Sequence, residues 1–173
     1  MSKTLRLFYA LMPDDVCRSA LTRLQFDLPG AKTRYRNFHV TLAFLGEQDA
    51  ALLPRLQQAL ERVQGNYFEM QIDKRGHFAK PRVAWAGCRH EPQTLKEMQA
   101  ALVADLRQMG VAFADHALFK PHVTLARDVD QPPPPLDFPP IIWHAKQVVL
   151  VQSVQAEDGL RYDVLASHWL KKN

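Results

Sequence analysis

The chain has 173 residues, 47% of them hydrophobic and three of them Trp, which is enough for one compact domain and too apolar for wholesale disorder. A net charge of +4 and a pI near 9.2 lean toward a phosphorylated or polyanionic ligand. Cys17 and Cys88 match neither a disulfide framework nor a metal spacing, and the apolar run Met1–Leu11 stops at Pro13, too short for a signal peptide or a membrane span, so a reduced, cytoplasmic setting away from membranes is expected.

Leu5–Leu11 reads as a short strand. Pro13-Asp14-Asp15 opens a helix with Val16, Ala20, Leu21 and Leu24 on one face, and Pro29-Gly30 ends that unit. Phe38–Leu45, rich in aromatic and β-branched residues, predicts a strand closed by Gly46. A helix over Ala51–Val63 follows, with Leu53, Leu56, Leu60 and Val63 at helical spacing.

The second half repeats the plan. Tyr67–Asp73 and Arg82–Gly87 read as strands, and Pro92 to Met109 as a helix burying Leu95, Met98, Leu102 and Leu106 before Gly110 stops it. His122–Arg127 is another strand, Pro132–Pro135 a stiff loop, and Gln147–Val154 and Tyr162–Leu170 two further strands. Strand–helix–strand blocks thus occur twice, with no composition break between them. The pattern predicts a single α+β domain over 1–173, built of antiparallel sheets with helices packed outside and internal pseudo-symmetry.

Each block carries the same five residues, His-Val-Thr-Leu-Ala, at His39–Ala43 and at His122–Ala126. On a strand, alternation sends His39 and Thr41 to one face and Val40 and Leu42 to the other, and His122 and Thr124 follow the same parity. A lone strand histidine is ordinarily a core or surface residue, and Thr favours strands on propensity alone. An identical duplicate in so short a chain is not so explained. Two imidazoles suit phosphodiester hydrolysis, one taking a proton from water and the other giving one to the departing oxygen. Two Thr hydroxyls can donate to the phosphoryl oxygens as charge develops. Neither motif has carboxylate or Cys neighbours at ligand spacing; Asp128, Asp130 and His116 lie outside such spacing, so no metal and no cofactor are expected. No Gly-rich phosphate loop supports use of a nucleoside triphosphate.

The paired His-x-Thr motifs resemble those of the 2H phosphoesterase superfamily, and in particular the RNA 2',3'-cyclic phosphodiesterases once called 2'-5' RNA ligases. The likeness runs from Arg6-Leu7-Phe8 through His39–Gly46, Pro81-Arg82-Val83 with Trp85 and Gly87, and Lys120–Arg127, to Gly159, Tyr162 and Trp169-Leu170. It implies two pseudo-symmetric lobes with a cleft between them, and hydrolysis of a 2',3'-cyclic phosphate end of an RNA or oligonucleotide to a 2'-phosphomonoester. No obligate protein partner is expected. By analogy His39 is the proton donor and His122 the proton acceptor, with Thr41, Thr124 and Arg127 binding substrate.

Strict alternation, however, turns Arg127 away from His122, and it reaches the site only if the strand ends or bulges before it. Phe8, Phe78 and Trp85 are candidates for stacking on a base, although strand aromatics are usually core. His77, His90, His116, His144 and His168 show no partner spacing. The residues leave open two further readings: another 2H reaction, such as 2'-5' cleavage or ligation run in reverse, and a module that binds nucleotide or RNA without turnover.

Overall fold

A computed structural model describes residues 1–114 and 118–173; His116 lies outside them. In chain order the elements are β1 (Thr4–Leu11), α1 (Asp15–Arg23), β2 (Ala31–Lys32), β3 (Val40–Asp49), α2 (Leu53–Glu61), β4 (Phe68–Ile72), β5 (Lys74–Phe78), β6 (Val83–Gly87), α3 (Gln93–Gln108), β7 (Val123–Arg127), β8 (Ile141–Ala145), β9 (Gln147–Ala156) and β10 (Gly159–Trp169). Short 3-10 turns cover Tyr35–Asn37 and Ala50–Leu52.

One antiparallel sheet runs β10-β9-β1-β3-β7-β6-β5, with β2 also paired to β7, and β4 and β8 form a separate two-stranded sheet. The long sheet is two sheets joined at a point. Where β3 meets β7, the paired residues are Val40 and Val123, each the residue after its motif histidine. On either side the order is mirrored: β3 pairs β1, which pairs β9, while β7 pairs β6, which pairs β5. A pseudo-dyad therefore passes beside Val40 and Val123 and brings the two motifs together.

The helices cross over. α1 follows a strand of the first lobe but packs against β8, and the residues at its end are bonded by β5, through Arg75 Nη1 to the Leu24 carbonyl at 3.0 Å. α3 follows a strand of the second lobe but packs against β3 and α2. Each half thus lends a helix to the other, and neither motif strand is buttressed by its own half alone.

The side of the sheet under the helices holds the main core, which includes Leu7, Tyr9, Val40, Leu42, Val123 and Leu125. The four motif Val and Leu residues are almost fully buried. Each such side chain contributes roughly 1.5–3 kcal/mol on burial, so packing anchors the strands that carry the histidines. A smaller cluster of Phe8, Ala10, Val149 and Val151, with Tyr162 and Met12 against it, lies on the opposite face of the first lobe.

The structure corrects several details. Val16 is exposed and Cys17 is buried in its place, beside Leu21 and Leu24, which are buried as their spacing predicts; Asp14 caps the helix, accepting from Cys17 N at 2.8 Å. The strand from Phe38 does not close at Gly46 but continues to Asp49, Gly46 taking a positive φ inside it. Strands β5 and β8 have no counterpart in the sequence reading: Lys74–Phe78 is mostly polar and holds Gly76, and Ile141–Ala145 follows the proline loop. Gly76 is there because the Trp85 indole lies across it, where any Cβ would overlap the ring.

Candidate active site

The two motifs converge. His39 stands just before β3 and His122 just before β7, and His39 feels the charge of His122. Each Nδ1 lies 2.7 Å from the backbone carbonyl two residues earlier, Asn37 for His39 and Lys120 for His122. A carbonyl only accepts, so both Nδ1 atoms carry the proton, and Nε2 is the unprotonated nitrogen of each neutral ring. His39 Nε2 lies 3.0 Å from Thr41 Oγ1, whose hydroxyl donates to the neutral ring. The bond from Nδ1 to a carbonyl is the same on both sides of the dyad, whereas the threonine bond is made by His39 alone among the two.

Arg127 joins them through a distortion of β7. Opposite β6, Ala84 pairs with Ala126 but Trp85 with Thr124, leaving Leu125 as an extra residue. The bulge resets the alternation, so that Leu125 and Ala126 are both buried and Arg127 emerges on the face of His122 and Thr124. Its charge acts on both imidazoles and on the Tyr162 hydroxyl. β3 repeats the device, with Leu42 as the extra residue opposite β1, and Phe44 emerges where Arg127 does in the other copy.

Aromatic rings flank both imidazoles. Phe8 and Tyr162 lie 4.9 and 5.1 Å from His39, and Phe78 and Trp85 lie 5.0 and 6.4 Å from His122. Phe8 is a core residue that backs His39 from below, whereas Phe78 and Trp85 are half-buried, with Lys120 over the first and Lys74 over the second. The Trp85 indole N–H is buried without a partner. Arg6, stacked 4.8 Å from the Phe44 ring, adds a further cation to this face. Tyr162, Lys74 and Lys120 have no role in the sequence reading: Tyr162 and Lys120 fall within the family likeness without an assigned task, and nothing marks Lys74.

Burial dominates the titration of both histidines. It pushes His39 down to about 4, assisted by His122, Arg127 and Arg18, and it lowers His122 as well. At neutral pH both rings are therefore uncharged in the free protein, and an anionic phosphate beside them raises both. The sign follows: the limbs of a kcat/KM profile, set by the free protein, should lie below the ordinary imidazole value of about 6.5, while those of kcat should lie higher. Rate profiles over pH 4–9 check this, and kcat/KM limbs at or above 6.5 would contradict the burial of the pair.

Three other described histidines are otherwise engaged: His77 and His168 bond the carbonyls of Val129 and Val63, and His144 lies 3.4 Å from Glu69. His90 shows no such partner. Among the described residues no three His, Cys, Asp or Glu gather as metal ligands, and no helix is long and apolar enough to cross a membrane. A cavity of about 740 Å³ lies between α1 and residues 136–144, away from both motifs. The site is found by its chemistry, not by its volume.

The chain is similar to known proteins along most of its length. The family model of the 2'-5' RNA ligase superfamily matches residues 12–155. The RNA 2',3'-cyclic phosphodiesterase of Escherichia coli K12 is 31% identical over 142 residues, covering 78% of this chain and 80% of that one. That of Archaeoglobus fulgidus is 30% identical over 71% of this chain and 72% of its own. Among solved structures, E. coli LigT complexed with 3'-AMP superposes with a TM-score of 0.87 at 28% identity, covering 97% of this chain and 99% of that one. A protein of Thermus thermophilus superposes with a TM-score of 0.81 at 27% identity and the same coverage.

Proposed function

The chain belongs to the 2'-5' RNA ligase superfamily, and from that membership we propose that it hydrolyses RNA 2',3'-cyclic phosphate ends to 2'-phosphomonoesters, the whole of 1–173 acting as one bilobal domain. The observation that carries the reading is the pair of imidazoles, each held by a carbonyl at Nδ1, with Nε2 left for proton transfer and, on His39, bonded by the Thr41 hydroxyl. Relatives named RNA 2',3'-cyclic phosphodiesterase supply the substrate class. Two free, buried cysteines fit a cytoplasmic setting.

In the proposed reaction His122 Nε2 takes a proton from water, and the water oxygen forms a bond to phosphorus. The bond from phosphorus to the 3' oxygen breaks, and that oxygen takes the proton from His39 Nε2. Arg127 and the Thr41 and Thr124 hydroxyls hold the non-bridging oxygens, whose charge grows in the transition state. The low affinity of buried His39 for a proton makes it a ready donor once the substrate anion has helped to charge it. With the 5' hydroxyl of a second strand in place of water, the same bond to phosphorus forms and the same 3' bond breaks, with the same two proton transfers, so 2'-5' ligation shares the site, and dilute aqueous conditions favour hydrolysis.

Phosphorus NMR of the product from a 2',3'-cyclic mononucleotide tests the proposal. A 2'-phosphomonoester is expected, with turnover unchanged after exhaustive chelation by EDTA. A 3'-phosphate, no turnover, or activity lost to EDTA and restored by zinc or manganese would refute it.

A further inference from the structure

Among the described residues the two buried polar ones are Gln25, 6% exposed, and Gln48, 7% exposed. Burying an amide costs free energy unless it is hydrogen-bonded, so the partners they find are informative. Gln25 Nε2 donates to the Leu125 carbonyl at 2.8 Å and to the Thr33 carbonyl at 2.9 Å. Gln48 Nε2 donates to the Leu45 carbonyl at 2.8 Å and to the Ala112 carbonyl at 2.7 Å.

Both leucines are extra residues in bulges. Leu125 is skipped in the pairing of β7 with β6, and Leu45 in the pairing of β3 with β1. The third bulge of the motif strands, at Leu42, is met by the same residue type: Gln99 Nε2, on α3, donates to the Leu42 carbonyl at 3.2 Å. A bulged residue is left out of the ladder on that side. The Leu125 carbonyl accepts from Thr33 N at 2.9 Å, which continues the pairing of β2 with β7 on the edge away from β6, and from Gln25, which thus ties the bulged residue to that edge. Three bulges in the two motif strands, each taken up by a glutamine, make a pattern that packing alone does not demand.

We infer that Gln25 is a positioning residue: by holding the Leu125 bulge open, it keeps Arg127 on the face of His122 and Thr124. Without the bulge, strict alternation would turn Arg127 to the opposite side. Gln25 follows α1 in the first half of the chain, and Gln99 on α3 reaches back to the first motif, so the exchanged helices latch each motif from the other half. The inference deepens the proposed function, since it takes Arg127 as the group that holds phosphate.

Gln25→Met, which keeps the length and removes the donor, tests it alongside Arg127→Ala, the double variant and Gln48→Met. Gln25→Asn, which keeps the amide and shortens its reach, replaces Gln25→Met if that variant fails to fold. The readouts are the His39 and His122 titrations by NMR and the kinetics on a 2',3'-cyclic nucleotide. Arg127 is one of the cations that hold both imidazoles down, so Arg127→Ala should raise their pKa values.

Gln25→Met should raise them in the same direction and add nothing in the Arg127→Ala background. Its kcat/KM should fall by up to about 10²-fold, the scale of an ångström-sized misplacement, and again not further in the double variant. Gln48→Met, a buried latch of the same kind at Leu45, should leave the His122 titration alone. Unmoved imidazoles in Gln25→Met, or equal movement in Gln48→Met, would overturn the inference. If the imidazoles respond but the wild type does not open the cyclic phosphate, the positioning role stands and the proposed function fails.

Discussion

His39→Ala and His122→Ala should each lower kcat on a 2',3'-cyclic nucleotide by at least two orders of magnitude, within the roughly 10²–10⁴-fold range of general acid–base catalysis. The reason is structural as well as chemical. Both rings present Nε2 with Nδ1 tied to a carbonyl, so neither can replace the other without leaving its own oxygen unserved. Removing the donor leaves an unprotonated 3' oxygen, and removing the acceptor leaves un-ionised water as the attacking group. The double variant should be little worse than either single one, because two groups that act in one step are not additive. Steady-state kinetics of the three variants settle the matter. Near-normal turnover in either single variant would remove that histidine from the reaction.

The threonine pair should show the next largest effect. Thr41→Val or Thr124→Val removes one hydroxyl while keeping the β-branched shape that suits the strand. If the hydroxyl's bond to a phosphoryl oxygen tightens in the transition state, its loss costs about 10²–10³-fold in kcat. The two copies should differ in one respect. Thr41 Oγ1 also bonds His39 Nε2, so Thr41→Val should alter the pH profile as well as the rate. A kcat retained in both variants would make the threonines strand residues and nothing more.

Much of this site is legible in the residues because the motif is duplicated and strand parity is simple. His39, Thr41, His122 and Thr124 fall on one face of their strands by alternation, and their Val and Leu neighbours enter the core. Arg127 is the instructive case. Alternation puts it on the wrong face, and only the extra Leu125 returns it to the site. A bulge is a property of pairing between strands, and β6 gives no local sign of which residue of β7 it will skip. Gln25 is invisible for the same reason, since its partner carbonyl is 100 residues away.

The helices illustrate a second limit. Their extents follow from periodicity, and Gln93–Gln108 falls within the expected Pro92 to Met109. Which sheet they cover does not follow, because α1 and α3 each cross to the other half. β5 is unreadable for a simpler reason: its residues serve the site and the ion pair of Arg75 with Asp27 in preference to a hydrophobic face.

The account's central claim is that the two imidazoles act at one phosphate in opposite protonation states. The most direct measurement uses a cyclic substrate whose 3'-bridging oxygen is replaced by sulfur, since a thiolate, with a conjugate-acid pKa of about 8.5, departs with little need of a proton. This substrate should largely restore turnover to His39→Ala, which lacks the donor, and should leave His122→Ala impaired. Rescue of His122→Ala instead would exchange the two roles, and rescue of neither variant, or of both alike, would contradict the acid–base division itself.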